Sequence, residues 1–300
     1  MKIAILGANG HISKCAFWVY SQNPDNEFYL FSRSKAKTES TYSIYPDVKK
    51  ICFEGYADFN SYEYDVIVNG VGSWDSLDQD SKIIFKTTET YDDLIINYQL
   101  SHPDTVSIHI SSGAAYTNDY QEPVTKDTKS ILNINHIAEC DLYSIAKINS
   151  EAKHRAYSEL NIVDIRLFGF FSRFMSLEYH YLLSALINSV KNGTVFKAVN
   201  GEFWRDYIHI EDFALLMNGI GSSSGINTAI DVRSKQPISK SELIRLFVDK
   251  YNLKVEYNTE VTISKTGLKP YYYSNQPNDI YTPHYTSLEA VENELKYFMR

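Results

Sequence analysis

Apolar residues in this chain fall into short runs, each stopped by a polar or glycine-containing break. The first run, Lys2-Ile3-Ala4-Ile5-Leu6, is rich in strand formers and ends at Gly7-Ala8-Asn9-Gly10. Residues 12–20 then carry helical spacing. A strand at 28–31 is followed by a polar stretch at 32–40, and a third strand at 66–68 is closed by Gly70 and Gly72. A helix is expected at about 83–99, a strand at 106–110 stopped by Ser111-Ser112-Gly113, a helix at about 141–160 and a strand at 162–167.

Strands that alternate with helices predict a doubly wound parallel sheet with helices on both faces. Near-continuous apolar strands agree, because such strands are buried on both sides. The second half is less regular: helices at 178–191, 240–251 and 287–298, a strand at 195–199 and a polar-aromatic segment at 205–212. The expected fold is α/β, a Rossmann-type sheet at 1–167 with a smaller C-terminal α/β substrate lobe at 168–300. The segment at about 205–235 is expected to return to the first unit.

Composition narrows the function classes. A net charge of −8 over 300 residues disfavours nucleic acid, whose phosphates need clustered Lys and Arg. Cys15, Cys52 and Cys140 are few, scattered and odd in number, which fits a reducing compartment and no disulfide framework or metal site. No apolar run reaches membrane-spanning length and the N-terminus lacks signal-peptide design, so no membrane partner and a cytoplasmic location are expected. The 24 tyrosines have no evident explanation in the sequence.

The Gly7-x-x-Gly10-x-x-Ser13 turn between first strand and first helix is a phosphate-binding design. Glycine lets the backbone approach a pyrophosphate, and the helix N-terminus offers free N–H groups and partial positive charge. Gly7, Asn9, Gly10, His11 and Ile12 are the candidate contacts. The second strand ends in Ser32-Arg33, with Lys35 and Lys37 beyond and no carboxylate to accept from a ribose 2′-hydroxyl. That favours NADP(H) over NAD(H). Asp58, after Gly55-Tyr56-Ala57, is a candidate partner for the adenine amine.

Tyr143 and Lys147 stand four residues apart on an expected helix and so share a face. A free tyrosine titrates near 10, and a neighbouring ammonium favours the phenolate, which makes a proton donor or acceptor for alcohol/ketone chemistry. Ser112, at the end of a buried strand, can hydrogen-bond the substrate oxygen. Ser112, Tyr143 and Lys147 are the expected catalytic group.

Together these features resemble the extended short-chain dehydrogenase/reductases, the NAD-dependent epimerase/dehydratase family of nucleotide-sugar enzymes, over nearly the whole chain. Gly7-x-x-Gly10, Asp65-Val66-Ile67-Val68-Asn69-Gly70-Val71-Gly72, Ser111-Ser112-Gly113-Ala114-Ala115-Tyr116, Tyr143-x-x-x-Lys147, Arg166-Leu167-Phe168 and Arg205-Asp206-Tyr207-Ile208-His209-Ile210-Glu211-Asp212 carry it, with Pro237-Ile238-Ser239 and 283–289 as C-terminal landmarks. The resemblance implies that Lys147 also binds the nicotinamide ribose and that Arg205 contacts the nucleotide of a sugar nucleotide. It puts Ala114 and His180 in the substrate site and implies a homodimer through the Tyr143–Lys147 helix. Gly113 and Ala114 replace the Asp-Glu that dehydratases carry, which argues against dehydration. Ala114 also replaces the Cys of epimerase/reductases, so two-site carbon epimerisation through His180 is not expected. Thr87 stands near the family's helix Asn.

The expected activity is reduction of the C4 keto group of a nucleotide-linked 4-keto-6-deoxy sugar with NADPH. A 4-epimerase with tightly held NAD is the alternative, and an NADP-sensing regulator is the reading outside the enzyme class.

Overall fold

The computed structural model describes residues 1–45, 48, 51–72, 82–117, 120–178, 181–258 and 269–299. Seven parallel strands form the main sheet: β1 (Lys2–Leu6), β2 (Glu27–Phe31), β3 (Ile51–Glu54), β4 (Val66–Asn69), β5 (Val106–Ser112), β6 (Ile162–Leu167) and β9 (Asn227–Val232), in the order β3-β2-β1-β4-β5-β6-β9. The strand order reverses between β1 and β4, so a crevice opens at their C-terminal ends. Ligands of open α/β sheets bind at such a reversal.

Both faces of the sheet are buried, and β1 shows how. Ile3 and Ile5 point into one core with Phe17 and Val19 of α1 (His11–Ser21) and Phe213 and Leu216 of α6 (Ile210–Gly221). Ala4 and Leu6 point the other way, onto Ile95 and Tyr98 of α3 (Ile83–Ser101). Alternate side chains thus feed two cores, the period-2 consequence of a strand covered on both sides. The Tyr20 hydroxyl donates to the Met217 carbonyl at 2.8 Å and ties α1 to α6.

The polar stretch after β2 forms α2 (Lys35–Tyr42), capped by the Ser34 side chain. α4 (Leu142–Ala156) lies beside α3.

A separate core joins Leu183, Leu186 and Ile187 of α5 (Leu182–Asn192), Ala198 of β7 (Phe196–Val199) and Leu243, Ile244 and Phe247 of α7 (Lys240–Tyr251). Val291 and Leu295 of α8 (Ser287–Leu295) complete it. α7 and α8 each begin in a reciprocal cap, Ser239 with Glu242 and Thr286 with Glu289. Two small sheets flank this core. β11 (Val255–Asn258) pairs with β7, and β8 (Trp204–Arg205) lies between β10 (Ile238–Ser239) and β12 (Tyr271–Tyr272).

Candidate active site

The turn after β1 is a cradle that only glycine fits. Gly7 has φ +68°, and a Cβ there would lie 2.9 Å from the carbonyl carbon and oxygen of Gly70, at the end of β4. Gly70 is in turn pressed against Ser13, whose Oγ would be 2.1 Å from a Cβ on Gly70. Ser13 thus takes the close-packing place of a third glycine, and the small residue opposite it makes the room. Gly10 caps α1 with no side chain over the helix N-terminus, so the first-turn N–H groups stay open to an anion.

The other turn candidates have varied surroundings. Asn9 donates to Thr38 Oγ1 at 2.9 Å, so its side chain holds the turn to α2. Tyr42 does the same by donating to the Ala8 carbonyl at 2.6 Å. His11 bonds Ser172 Oγ at 2.8 Å; burial and the Lys14 charge push it down to about 3, so the ring is neutral. Ile12 packs on the main core. The Gly7 N–H donates to the hydroxyl of Tyr56, a residue the motif reading did not single out.

At the end of β2, Ser32 is buried and its hydroxyl is 2.6 Å from Thr38 Oγ1. It shapes the β2–α2 bend. Arg33 is exposed, as is Lys37, and the Lys37 charge lowers the half-buried Lys14 of α1 after burial itself. Lys14 of α1 and Lys37 of α2 therefore face each other near this corner, and Arg33 follows β2 with its charge acting on Tyr56. Asp58, the expected adenine contact, is exposed in the short 3-10 helix at 56–61 just after β3.

The expected catalytic residues come together at the C-terminal end of β5. Tyr143 is the second residue of α4, and Lys147 one turn on has its Nζ 5.8 Å from the Tyr143 ring centroid. Lys147 is nearly buried and donates to the Ile110 carbonyl at 2.8 Å. Ser112 accepts from the Ala114 N–H at 3.2 Å, which starts a short 3-10 helix over 113–116. Ser112 Oγ also lies 3.0 Å from the hydroxyl of Tyr272. Tyr272 stands against Phe168 and Tyr120, with ring centroids at 5.2 and 4.8 Å, and burial raises its phenol. Sequence reasoning missed this residue. It reaches the site from β12, whose backbone is fixed by bonds from Trp204 to Pro270 and from Tyr271 to Tyr120.

Arg205 lies on the far side of Tyr272, its guanidinium 4.3 Å from the Phe203 ring centroid and 5.7 Å from that of Tyr272. Nη1 donates to the carbonyls of Trp204 and Lys269, each at 2.7 Å. Tyr272 thus stands in contact with both Ser112 and Arg205. Ala114 is buried, its N–H on Ser112 Oγ. His180 lies outside the described residues.

A buried polar chain fixes the floor. Ser111 donates to Glu151, Glu151 grips the Arg166 guanidinium, and Arg166 donates to Tyr116. Tyr116 in turn donates to Asp231, which also accepts from Ser274 at 2.6 Å. This chain joins β5, α4, β6, β9 and the segment after β12. The acids of the 205–212 motif serve the same end: Asp206 accepts from Ser234 and Ser287, and Asp212 accepts from the backbone of His284 and Tyr285.

Gly113 is covered by Phe168, and a Cβ there would fall 2.4 Å from that ring. Gly113→Asp is expected to lower the melting temperature by roughly 5 °C or more, because overpacking costs about 1–3 kcal/mol and an unpaired acid adds to it. A thermal melt checks this; an unchanged midpoint would show that Phe168 moves freely.

The model of the NAD dependent epimerase/dehydratase family matches residues 40–220, more than half of the chain. The chain belongs to this family. It is accordingly an NAD-dependent type of enzyme, and Tyr143 and Lys147 lie within the matched span. No curated protein matches the sequence.

Solved structures show how widely the epimerase/dehydratase fold is kept at low identity. UDP-N-acetylglucosamine 4-epimerase from Methanobrevibacter ruminantium superposes with a TM-score of 0.81 at 17% identity, covering 99% of this chain and 98% of its own. UDP-glucuronic acid 4-epimerase from Bacillus cereus, in complex with UDP-glucuronic acid and NAD, gives 0.78 at 16%, covering 100% and 99%. dTDP-glucose 4,6-dehydratase from Bacillus anthracis, in complex with NAD, gives 0.77 at 13%, covering 100% and 96%. Among the described residues no helix is long and apolar enough to cross a membrane.

Proposed function

We propose that this chain is a reductase that uses NADPH to reduce the C4 keto group of a nucleotide-linked 4-keto-6-deoxy sugar. The observation that carries the cofactor choice is the corner at the end of β2, where the strand closes in Ser32-Arg33 and the Lys14 and Lys37 charges face each other. A ribose 2′-phosphate there would meet the Lys14 and Lys37 charges, beside Arg33 in the β2–α2 connection. The Gly7 and Gly70 cradle, which any Cβ would fill, fits a pyrophosphate.

When bound, the dihydronicotinamide supplies the hydride. Ser112 holds the carbonyl oxygen by its hydroxyl, at the place where the Tyr272 phenol now bonds it. Tyr143 gives its proton to the forming alkoxide. The Lys147 ammonium, one turn away, stabilises the phenolate that remains, and its bond to the Ile110 carbonyl keeps it in position. Gly113 and Ala114 leave no acid beside Ser112 for elimination of water, which supports reduction over dehydration. The nucleotide would extend toward Arg205. Two cooperating units are supported: a cofactor-binding unit at 1–167 that takes back about 205–235, the stretch supplying α6 and β9 to the main sheet, and a substrate-binding unit over the rest of 168–300.

A 4-epimerase retaining NAD is the second reading, favoured by the names of two of the structural neighbours. One set of measurements separates the two. The purified protein is assayed for retained nucleotide, for NADPH and NADH affinity, and for NADPH oxidation with 4-keto-6-deoxy sugar nucleotides. Lys14→Ala and Arg33→Ala are each expected to weaken NADPH by about tenfold or more and leave NADH nearly unchanged, since a charge-assisted bond is worth about 1.5–3 kcal/mol. Equal losses for both nucleotides would sink the NADPH assignment. Stoichiometric NAD surviving purification would replace the reductase by the epimerase.

A further inference from the structure

A cluster that the proposed chemistry does not use lies below Lys147, between the sheet and the α3–α4 layer. Asp92 of α3, His109 of β5 and His154 of α4 are each almost wholly buried. One ligand atom from each lies within 4.8 Å of the others.

Their hydrogens can be assigned from their outer partners. Ser107 donates to Gln99 Oε1 at 2.9 Å, so its oxygen accepts from the His109 Nε2–H at 3.2 Å. That leaves a lone pair on His109 Nδ1, 3.4 Å from Asp92 Oδ1. Asp164 Oδ1, 2.8 Å from His154 Nδ1, takes that ring's hydrogen. His154 Nε2 is then left facing Asp92 Oδ2 at 3.7 Å, fully buried and with no hydrogen-bond partner. Two imidazole lone pairs and a carboxylate converge. The donor at their edge is the Asn69 amide, 3.3 Å from both Asp92 Oδ1 and His109 Nδ1. Its orientation is fixed, because Asn69 Oδ1 accepts from the Val71 N–H. Ser150 donates to Asp92 from the other side. Three acceptors turned toward one another are short of positive charge.

We propose that Asp92, His109 and His154 bind a divalent transition-metal ion of the zinc type. Two imidazoles and a carboxylate suit such an ion. Each imidazole already has the outer partner that orients a metal-binding histidine: Asp164 behind His154, itself held by Arg155 Nη2 at 3.1 Å, and Ser107 behind His109. A cavity of about 10 Å³, walled by Thr88, Lys147 and Ser150 among others, adjoins the cluster and has room for one water as fourth ligand. The carboxylates of Asp92 and Asp164 offset the ion's charge. Ligand atoms around zinc lie closer together than 4.8 Å, so binding would draw α3 and α4 onto β5.

The rival occupant is a second proton on His154, and the test separates the two. The full chain, with any affinity tag removed, is stripped by dipicolinate and titrated with Co²⁺, whose visible bands report coordination number. Binding of one equivalent with four-coordinate bands is expected, together with a Zn²⁺-dependent rise of roughly 5 °C in melting temperature. His154→Gln should lose both. As that variant could unfold, Asn69→Ala provides a second arm: it removes the competing donor, keeps all three ligands, and should bind Co²⁺ more tightly than the parent chain. Failure of the folded parent chain to bind Co²⁺ or Zn²⁺, or Asn69→Ala binding no more tightly, would overturn the proposal. A ¹⁵N spectrum showing both His154 nitrogens protonated in zinc-saturated buffer would also overturn it, and identify the proton as the occupant.

Discussion

Tyr143→Phe should lower turnover by roughly 10²–10⁴-fold while leaving NADPH affinity almost unchanged. The magnitude is that of a positioned general acid. Removing one oxygen leaves the ring in place on α4, so the Lys147 contact and the helix survive. The measurement is NADPH oxidation with a 4-keto-6-deoxy sugar nucleotide, beside cofactor titration of the same variant. Tyr272 makes the result discriminating, because it is a second phenol bonded to Ser112 at 3.0 Å. If Tyr143 is the proton donor, Tyr272→Phe frees the Ser112 hydroxyl and costs far less than Tyr143→Phe. Should Tyr143→Phe keep its rate and Tyr272→Phe lose it, the two phenols exchange roles and the assigned mechanism is wrong.

That ambiguity exposes what a linear reading can and cannot reach. Tyr143 and Lys147 were legible because helical spacing alone places them together. The cradle was legible because a glycine pair after an apolar strand has few other uses. Tyr272 was not, since its strand is two residues long and it meets Ser112 only through the pairing of β12 with β8. Lys14 was equally hidden: it looks like a polar helix position until α2 brings Lys37 beside it.

The fold divides in the same way. β1 and β4 are buried, largely apolar and bounded by breaks, and β5 and β6 keep their apolar side chains at alternate positions. By contrast α2 buries only Thr38 and Tyr42 among eight residues, and so carries no amphipathic signal. Its stability comes from the Ser34 cap and from bonds to Asn9 and Ala8, which only the folded chain reveals. β3 is a half-buried edge strand of four residues, too short for periodicity to separate from a loop. The motif at 205–212 was visible as a pattern, yet its acids act on segments up to 81 residues away. A motif identifies which residues matter before it tells what they touch.

The cradle yields the second large effect. Gly7→Ala should lower the melting temperature by roughly 5–15 °C and weaken NADPH more than tenfold. Two costs add. A Cβ at φ +68° carries about 1–2 kcal/mol of conformational strain. The same atom would lie 2.9 Å from the Gly70 carbonyl carbon and oxygen, which are backbone and cannot rotate away, for about 1–3 kcal/mol more. Any relief must move the turn away from β4, and the N–H groups of α1 proposed to meet the pyrophosphate move with it. Gly193→Ala is the matched control. Its φ is +63°, but nothing lies within 4 Å of the added Cβ, so it bears the strain without the clash and sits far from the cofactor cradle at the end of α5. The control should lose only the smaller share of stability and none of the NADPH affinity. If Gly7→Ala melts like Gly193→Ala and still binds NADPH as the parent does, the turn is an ordinary bend. The site at the β1–β4 reversal would then have to be sought elsewhere.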